Sequence, residues 1–118
     1  MKQNAALAVH SCGCGTQESP GGRKAVGVDQ AIKTSNLTRL RRIEGQVRGL
    51  QGMVEDDRYC ADILTQVASV QEALRAVSRE LMRNHLRHCV SSAVRAGGQE
   101  AEKTLDELVE LIHRAGVR

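Results

Sequence analysis

Apolar residues recur along much of this chain at spacings of three and four, with charged residues between them. Leu37, Leu40, Ile43, Val47, Leu50 and Val54 form one such stripe, the spacing of an amphipathic helix. Ser35 and Asn36 stand just ahead of it and suit an N-cap, because their side-chain oxygens accept from the free amides of a first turn. The pattern predicts a first helix from about Ser35 or Asn36 to about Glu55. Gly45, Gly49 and Gly52 lie within it; they weaken a helix but permit close backbone approach by another. Asp56 and Asp57 read as the stop and the next N-cap.

From Asp56 to Ala96 the chain has neither Gly nor Pro. Ile63, Val67, Val70, Leu74, Val77 and Leu81 alternate steps of four and three, a heptad seam. This predicts a second helix from about Arg58 to about Val94, ended by Gly97–Gly98. A third helix is expected from about Gln99 to about Arg114, with Leu105, Leu108, Val109 and Ile112 on one face. No strand pattern and no internal repeat is evident. The expected fold is therefore all-α, a three-helix protomer with one long central helix. Residues 1–34 have no hydrophobic periodicity and carry Pro20–Gly21–Gly22, so they are expected to be a disordered tail ahead of a helical domain over 35–118.

The chain has 118 residues, one Pro, one Tyr, no Phe and no Trp, so a single small domain must build its core from aliphatic side chains. A core of that kind favours association with further copies. No stretch is long enough to span a membrane, and Ala5–Val9 is too short for a signal-peptide core. The expected compartment is the cytoplasm, where thiols stay reduced and four cysteines read as ligands or redox groups rather than a disulfide framework. Net charge is only +3, but it is uneven. Lys33, Arg39, Arg41, Arg42 and Arg48 oppose Glu44 alone, whereas Glu100, Glu102, Asp106, Glu107 and Glu110 oppose Lys103 alone. Either the surface carries a directional field or these are solvated helix faces.

Cys60 extends the seam backward by three residues, and His85 and Cys89 extend it forward from Leu81 by steps of four. His85 and Cys89 share a helix face. At ~1.5 Å per residue, Cys60 and His85 would be roughly 37 Å apart on one helix, too far to share an ion. An antiparallel pair of the same helix, centred near Ala73 and Leu74, would bring Cys60 of one chain to His85 and Cys89 of the other, giving two equivalent sites. Two thiolates and an imidazole suit Cu(I), or compete for Zn or Ni; structural Zn normally takes a fourth ligand. His88 is turned by about 100° from Cys89 and is read as non-ligating. Two plainer readings are seam residues that merely pack, and a Cys–His nucleophile. The latter lacks an evident oxyanion hole and third orienting group, so no enzyme is expected. His10, Cys12 and Cys14 in the tail either sample metal loosely or have no metal role.

Leu37–Leu50 (LTRLRRIEGQVRGL), Asp57–Cys60 (DRYC), Asp62–Gln71 (DILTQVASVQ) and Asn84–Cys89 (NHLRHC) together resemble the copper-sensitive operon repressor family, the CsoR/RcnR class of bacterial metal-responsive repressors. The likeness covers about two thirds of the chain, from Leu37 to about Ile112. It implies a four-helix-bundle dimer that pairs into a tetramer, a dimer of dimers without a helix-turn-helix. It implies that apo protein binds operator DNA and that metal releases it. Cys60, His85 and Cys89 match the family's Cu(I) ligands. Tyr59 and Glu107 match its outer pair, which hydrogen-bonds toward the ligand histidine. Arg39 matches a DNA-contacting position, and Arg75 and Arg79 fall near others; Arg41, Arg42 and Arg48 extend the basic run. Nickel and cobalt sensors of the family add a histidine near the place of Val28, formaldehyde sensors lack the last Cys, and persulfide sensors lack the His. Cu(I) is thus the expected effector. Nickel, a persulfide or redox signal, and a copper-buffering role without DNA stand as alternatives. Expected partners are operator DNA, further copies of the chain and a copper chaperone, with no membrane.

Overall fold

The computed structural model describes residues 22, 24, 25 and 27–116. Its elements are α1 (Gln30–Glu55), α2 (Cys60–His85), a π-helical turn (Leu86–Val90), α3 (Ser91–Ala96) and α4 (Gly98–Ala115). Among the described residues all regular structure is helical. The π turn follows α2 and leads into α3 without a break, so the long central helix expected from the heptad seam is one rod from Cys60 to Ala96.

The turn between α1 and α2 is built by hydrogen bonds from Arg58 N–H to the Met53 carbonyl (3.0 Å) and from Asp57 N–H to the Val54 carbonyl (3.1 Å). Asp57 sits at φ +52°. This is a Schellman cap with an aspartate in the left-handed position that glycine more often fills. Asp56 and Asp57 thus end α1 as expected, but neither caps α2. The Tyr59 carbonyl accepts from Asp62 and Ile63 N–H at 3.0 and 3.2 Å, which places the N-cap at Tyr59. At the other end of the rod Gly97 has φ +72° and donates to the Ala93 carbonyl at 3.1 Å. Only glycine adopts that backbone cheaply.

α1 begins at Gln30 rather than at Ser35 or Asn36. Asp29 is an equally good residue to precede a helix, and Ile32 adds an apolar position four ahead of Asn36. Asn36 lies inside the helix, buried, with neither amide atom hydrogen-bonded. The last part of the segment expected to be a disordered tail is therefore ordered: Gly27–Asp29 is held by side-chain hydrogen bonds, and residues 30–34 are helical.

The described residues form two compact units. In the first, Gln30–Glu80, α1 and α2 make an antiparallel hairpin. Ile43 packs with Val70 and Val77, flanked by Leu50 and Ala73. Of the seam, Val70 and Val77 are buried, whereas Leu74 is 44% exposed; Leu37, Leu40, Val47 and Val54 of α1 are exposed as well. A Cβ at Gly45, Gly49 or Gly52 would meet nothing within 4 Å, so among the described residues these glycines admit no close helix. The second unit joins the described residues up to Asp29 to those from Leu81 onward. Its core is Cys89 and Ala93, neither with any exposure, with Val90 and Thr104 also buried. α4 turns Ala101, Thr104, Leu108 and Leu111 inward, while Leu105, Val109 and Ile112 of its expected face are exposed.

Candidate metal and nucleic-acid sites

Cys60 is the first residue of α2 and His85 its last. The Cys60 thiol is free and exposed. Cys89 lies in the π turn, is fully buried, and is disulfide-bonded in this structure, against the expectation that every thiol is reduced. Ligation by its sulfur requires that bond to be opened. Among the described residues no cluster of three or more His, Cys, Asp or Glu is close enough to hold a metal ion. His10, Cys12 and Cys14 lie outside the described residues.

The π turn fixes how the second half of the trio is presented. Ser91 N–H donates to the Leu86 carbonyl, five residues back, and the Ser91 hydroxyl donates to the same oxygen at 3.0 Å. Such one-residue expansions are rare, and where they occur they are frequently at functional sites. It carries Cys89 into the core against Ala93 while His85, at the end of α2, stays partly exposed.

His85 faces a polar cleft that it lines with Gln99, Glu102, Lys103, Asp106 and Glu107. Burial lowers the imidazole pKa below its ordinary value, and the charge of Glu107 opposes that shift. The neutral ring, the form that ligates a metal, is therefore favoured at neutral pH. Glu107 thus lies where it acts on His85. Tyr59 caps the start of α2 and is 73% exposed.

The six arginines expected to meet DNA all belong to the Gln30–Glu80 hairpin. Arg39 is half-buried, and its Nη1 donates to the Ala76 carbonyl at 3.5 Å, which sets it level with Arg75 and Arg79. Those two share one carboxylate: Glu72 lies 3.3 Å from Arg75 and 3.6 Å from Arg79. Arg41 and Arg42 are exposed, and Arg48 lies 3.9 Å from Glu44. Sequence reasoning missed Glu72 as the neutralising partner, although its spacing of three to Arg75 signals a helical pair.

It also missed Asn84. The alternation of four and three that ends at Leu81 continues to 84 and 88, so a polar residue at a seam position was the available signal. Asn84 is buried; its Oδ1 accepts from Asp29 N–H at 2.8 Å and its Nδ2 donates to the Gly27 carbonyl at 3.1 Å.

Described residues that are helical throughout their regular structure, with Cys60 and His85 at the two ends of one helix and an arginine-rich hairpin, fit a helical regulator of transcription. The sequence profile of metal-sensitive transcriptional repressors matches residues 32–114, and the chain belongs to that family, one of repressors rather than enzymes. It is 47% identical over 82 residues to the copper-sensing transcriptional repressor CsoR of Bacillus subtilis (strain 168), covering 70% of this chain and 79% of the relative. It is 49% identical over 82 residues to the copper-sensing transcriptional repressor RicR of Mycobacterium tuberculosis, covering 70% of this chain and 85% of the relative. The crystal structure of the copper-sensing repressor CsoR with Cu(I) from Geobacillus thermodenitrificans NG80-2 aligns with a TM-score of 0.66 at 46% identity, over 76% of this chain and 91% of that one. None of these relatives points to a copper chaperone. No described helix is long and apolar enough to cross a membrane.

Proposed function

We propose that this protein is a Cu(I)-responsive repressor that binds operator DNA as apo protein and leaves it when the ion is bound between two chains. The observation that carries this reading is the placement of Cys60 and His85 at opposite ends of one 26-residue helix. A rod cannot join its own ends, so the trio of Cys60, His85 and Cys89 is completed by a second, antiparallel copy. The exposed apolar side chains Leu37, Leu40, Val47 and Leu74 of the hairpin supply a face for that copy and for assembly of dimers into a tetramer.

The donor set fits the ion. Two sulfurs and one nitrogen are soft ligands suited to Cu(I), and burial keeps His85 in its neutral form. When bound, the ion would tie the start of one rod to the end of another. His85 uses one ring nitrogen as a ligand and offers the other to Glu107, which fixes the ring as carboxylate partners of ligand histidines do. Glu107 belongs to α4, so a change at His85 reaches that helix. Tyr59, one residue before Cys60, joins this outer set in the assembled site on this reading. On DNA, Arg39, Arg41, Arg42, Arg48, Arg75 and Arg79 contact phosphates, which makes affinity fall with salt. Metal and operator favour different arrangements, and the coupling is reciprocal.

The test is operator release from the His85→Ala protein. The account expects apo binding to persist and Cu(I)-driven release to be lost; full release without the imidazole contradicts it. A second reading is a redox or persulfide sensor, in which Cys60 of one chain and Cys89 of another form an inter-subunit disulfide or polysulfide. Release by oxidant or polysulfide that survives in His85→Ala would support it. A storage role without DNA has no support from a family of repressors.

A further inference from the structure

We propose that Gly27–Asp29 is a strap clamped onto the ligand turn by Asn84, and that Asn84 is a positioning residue for His85 and Cys89. This rests on the metal site proposed above. The observations lie in one compact unit. Asn84 immediately precedes His85. It is 9% exposed, and it spends its amide on the strap: Oδ1 takes the Asp29 N–H and Nδ2 gives to the Gly27 carbonyl. Arg87, midway between the two ligands, donates from Nη1 to Asp29 Oδ2 at 3.2 Å. His88, beside Cys89, closes the other side. A Cβ built on Gly27 would lie 2.7 Å from His88 Nδ1 and 3.1 Å from its Cβ, so the strap passes where only glycine fits.

Four features thus converge on three residues: two amide hydrogen bonds, an ion pair and a steric fit. All come from positions 84, 87 and 88, which interleave with the ligands at 85 and 89. The π-helix is rare and occurs mostly as a single turn inside an α-helix, so this turn is a local departure from the regular helical register. A buried asparagine with both ends satisfied specifies one geometry, because any other leaves the amide unpaired. The strap therefore holds the turn in the register that sets the spacing of His85 and Cys89. Val28, between the two anchored residues, points outward at 46% exposure and takes no part.

The test uses the full-length reduced protein. Amide exchange of Leu86–Ser91 is measured in apo protein, and Cu(I) affinity is measured by competition with a chromophoric Cu(I) chelator. Asn84→Ala and Gly27→Val should each speed exchange of the turn and weaken Cu(I) binding, by about tenfold for the loss of one or two buried hydrogen bonds. The double variant should be no worse than either single one, because both release the same strap. In Gly27→Ala, the further change His88→Ala should restore slow exchange by making room for the added methyl. Unchanged exchange in both single variants overturns the proposal. So does a double variant whose effects multiply, since Asn84 would then act without the strap. If Asn84→Ala does not fold, the Gly27→Ala and His88→Ala pair decides the matter. If no form binds Cu(I), the metal-site reading fails, while apo exchange still decides on the strap.

Discussion

Glu72 offers a gain-of-affinity test of the nucleic-acid face. It is the carboxylate shared by Arg75 and Arg79, at 3.3 and 3.6 Å. If those arginines reach phosphates, the carboxylate sits one guanidinium behind the DNA. The ion-pair distance and a further ~3 Å contact put Glu72 about 6–7 Å from a phosphate. At that range, in water-like dielectric, one carboxylate and one phosphate repel by ~0.6 kcal/mol, nearly threefold in affinity. Glu72→Gln should therefore tighten apo binding roughly threefold for each chain that contacts the duplex. Exposed pairs of this kind contribute about 0–1 kcal/mol to folding, so the fold should tolerate the change. The assay is fluorescence anisotropy of labelled operator DNA, titrated with apo protein at several salt concentrations. Arg75→Ala is the opposing control: loss of one phosphate contact should shallow the salt slope by about 0.9 per contact. A Glu72→Gln protein that binds the same or more weakly, with an Arg75→Ala slope like the parent's, would remove this part of the hairpin from the interface.

Two further expectations concern the fold. Ile43 is 6% exposed and packs on Val70 and Val77, so Ile43→Ala should cost roughly 2–5 kcal/mol, read as a lower urea midpoint; a shift below about 1 kcal/mol would mean the hairpin core lies elsewhere. Burial lowers the pKa of His85 from 6.5, so the unfolded chain takes up that proton at a higher pH than the folded one. The parent should lose stability relative to His85→Ala as pH falls through about 6.5 toward 5 and show no such difference above 7.5; parallel urea-midpoint curves would contradict this.

Much of the fold was legible because one physical rule dominated each stretch. A run without Gly or Pro from Asp56 to Ala96, with apolar steps of four and three, can hardly do other than form a rod, and paired glycines at 97 and 98 end it. The start of α1 was less legible because Asp29, Ser35 and Asn36 are all competent caps, and only in the folded chain is Ile32, ahead of Ser35, seen to be buried. The π turn left no trace, since Leu86–Val90 are residues an α-helix also accepts. The metal trio stood out by residue type, but its support did not. The Asn84 clamp joins residues more than fifty apart, and local spacing carries no information about that contact. The faces of α4 were read too simply, because Leu105, Val109 and Ile112 are as apolar as the residues that turn inward.

The central claim is that two chains share the donors, and mixed assemblies test it most directly. One variant carries Cys60→Ala and the other carries His85→Ala with Cys89→Ala, so neither alone can complete a trio. After unfolding and refolding together in reducing buffer, Cu(I) sites of parental affinity are counted by chelator competition. With random pairing, half the dimers are mixed and each rebuilds one site of two, so about a quarter of the parental sites should return. If the mixture regains none while each parent-like chain still pairs, the donors are not shared across an antiparallel dimer.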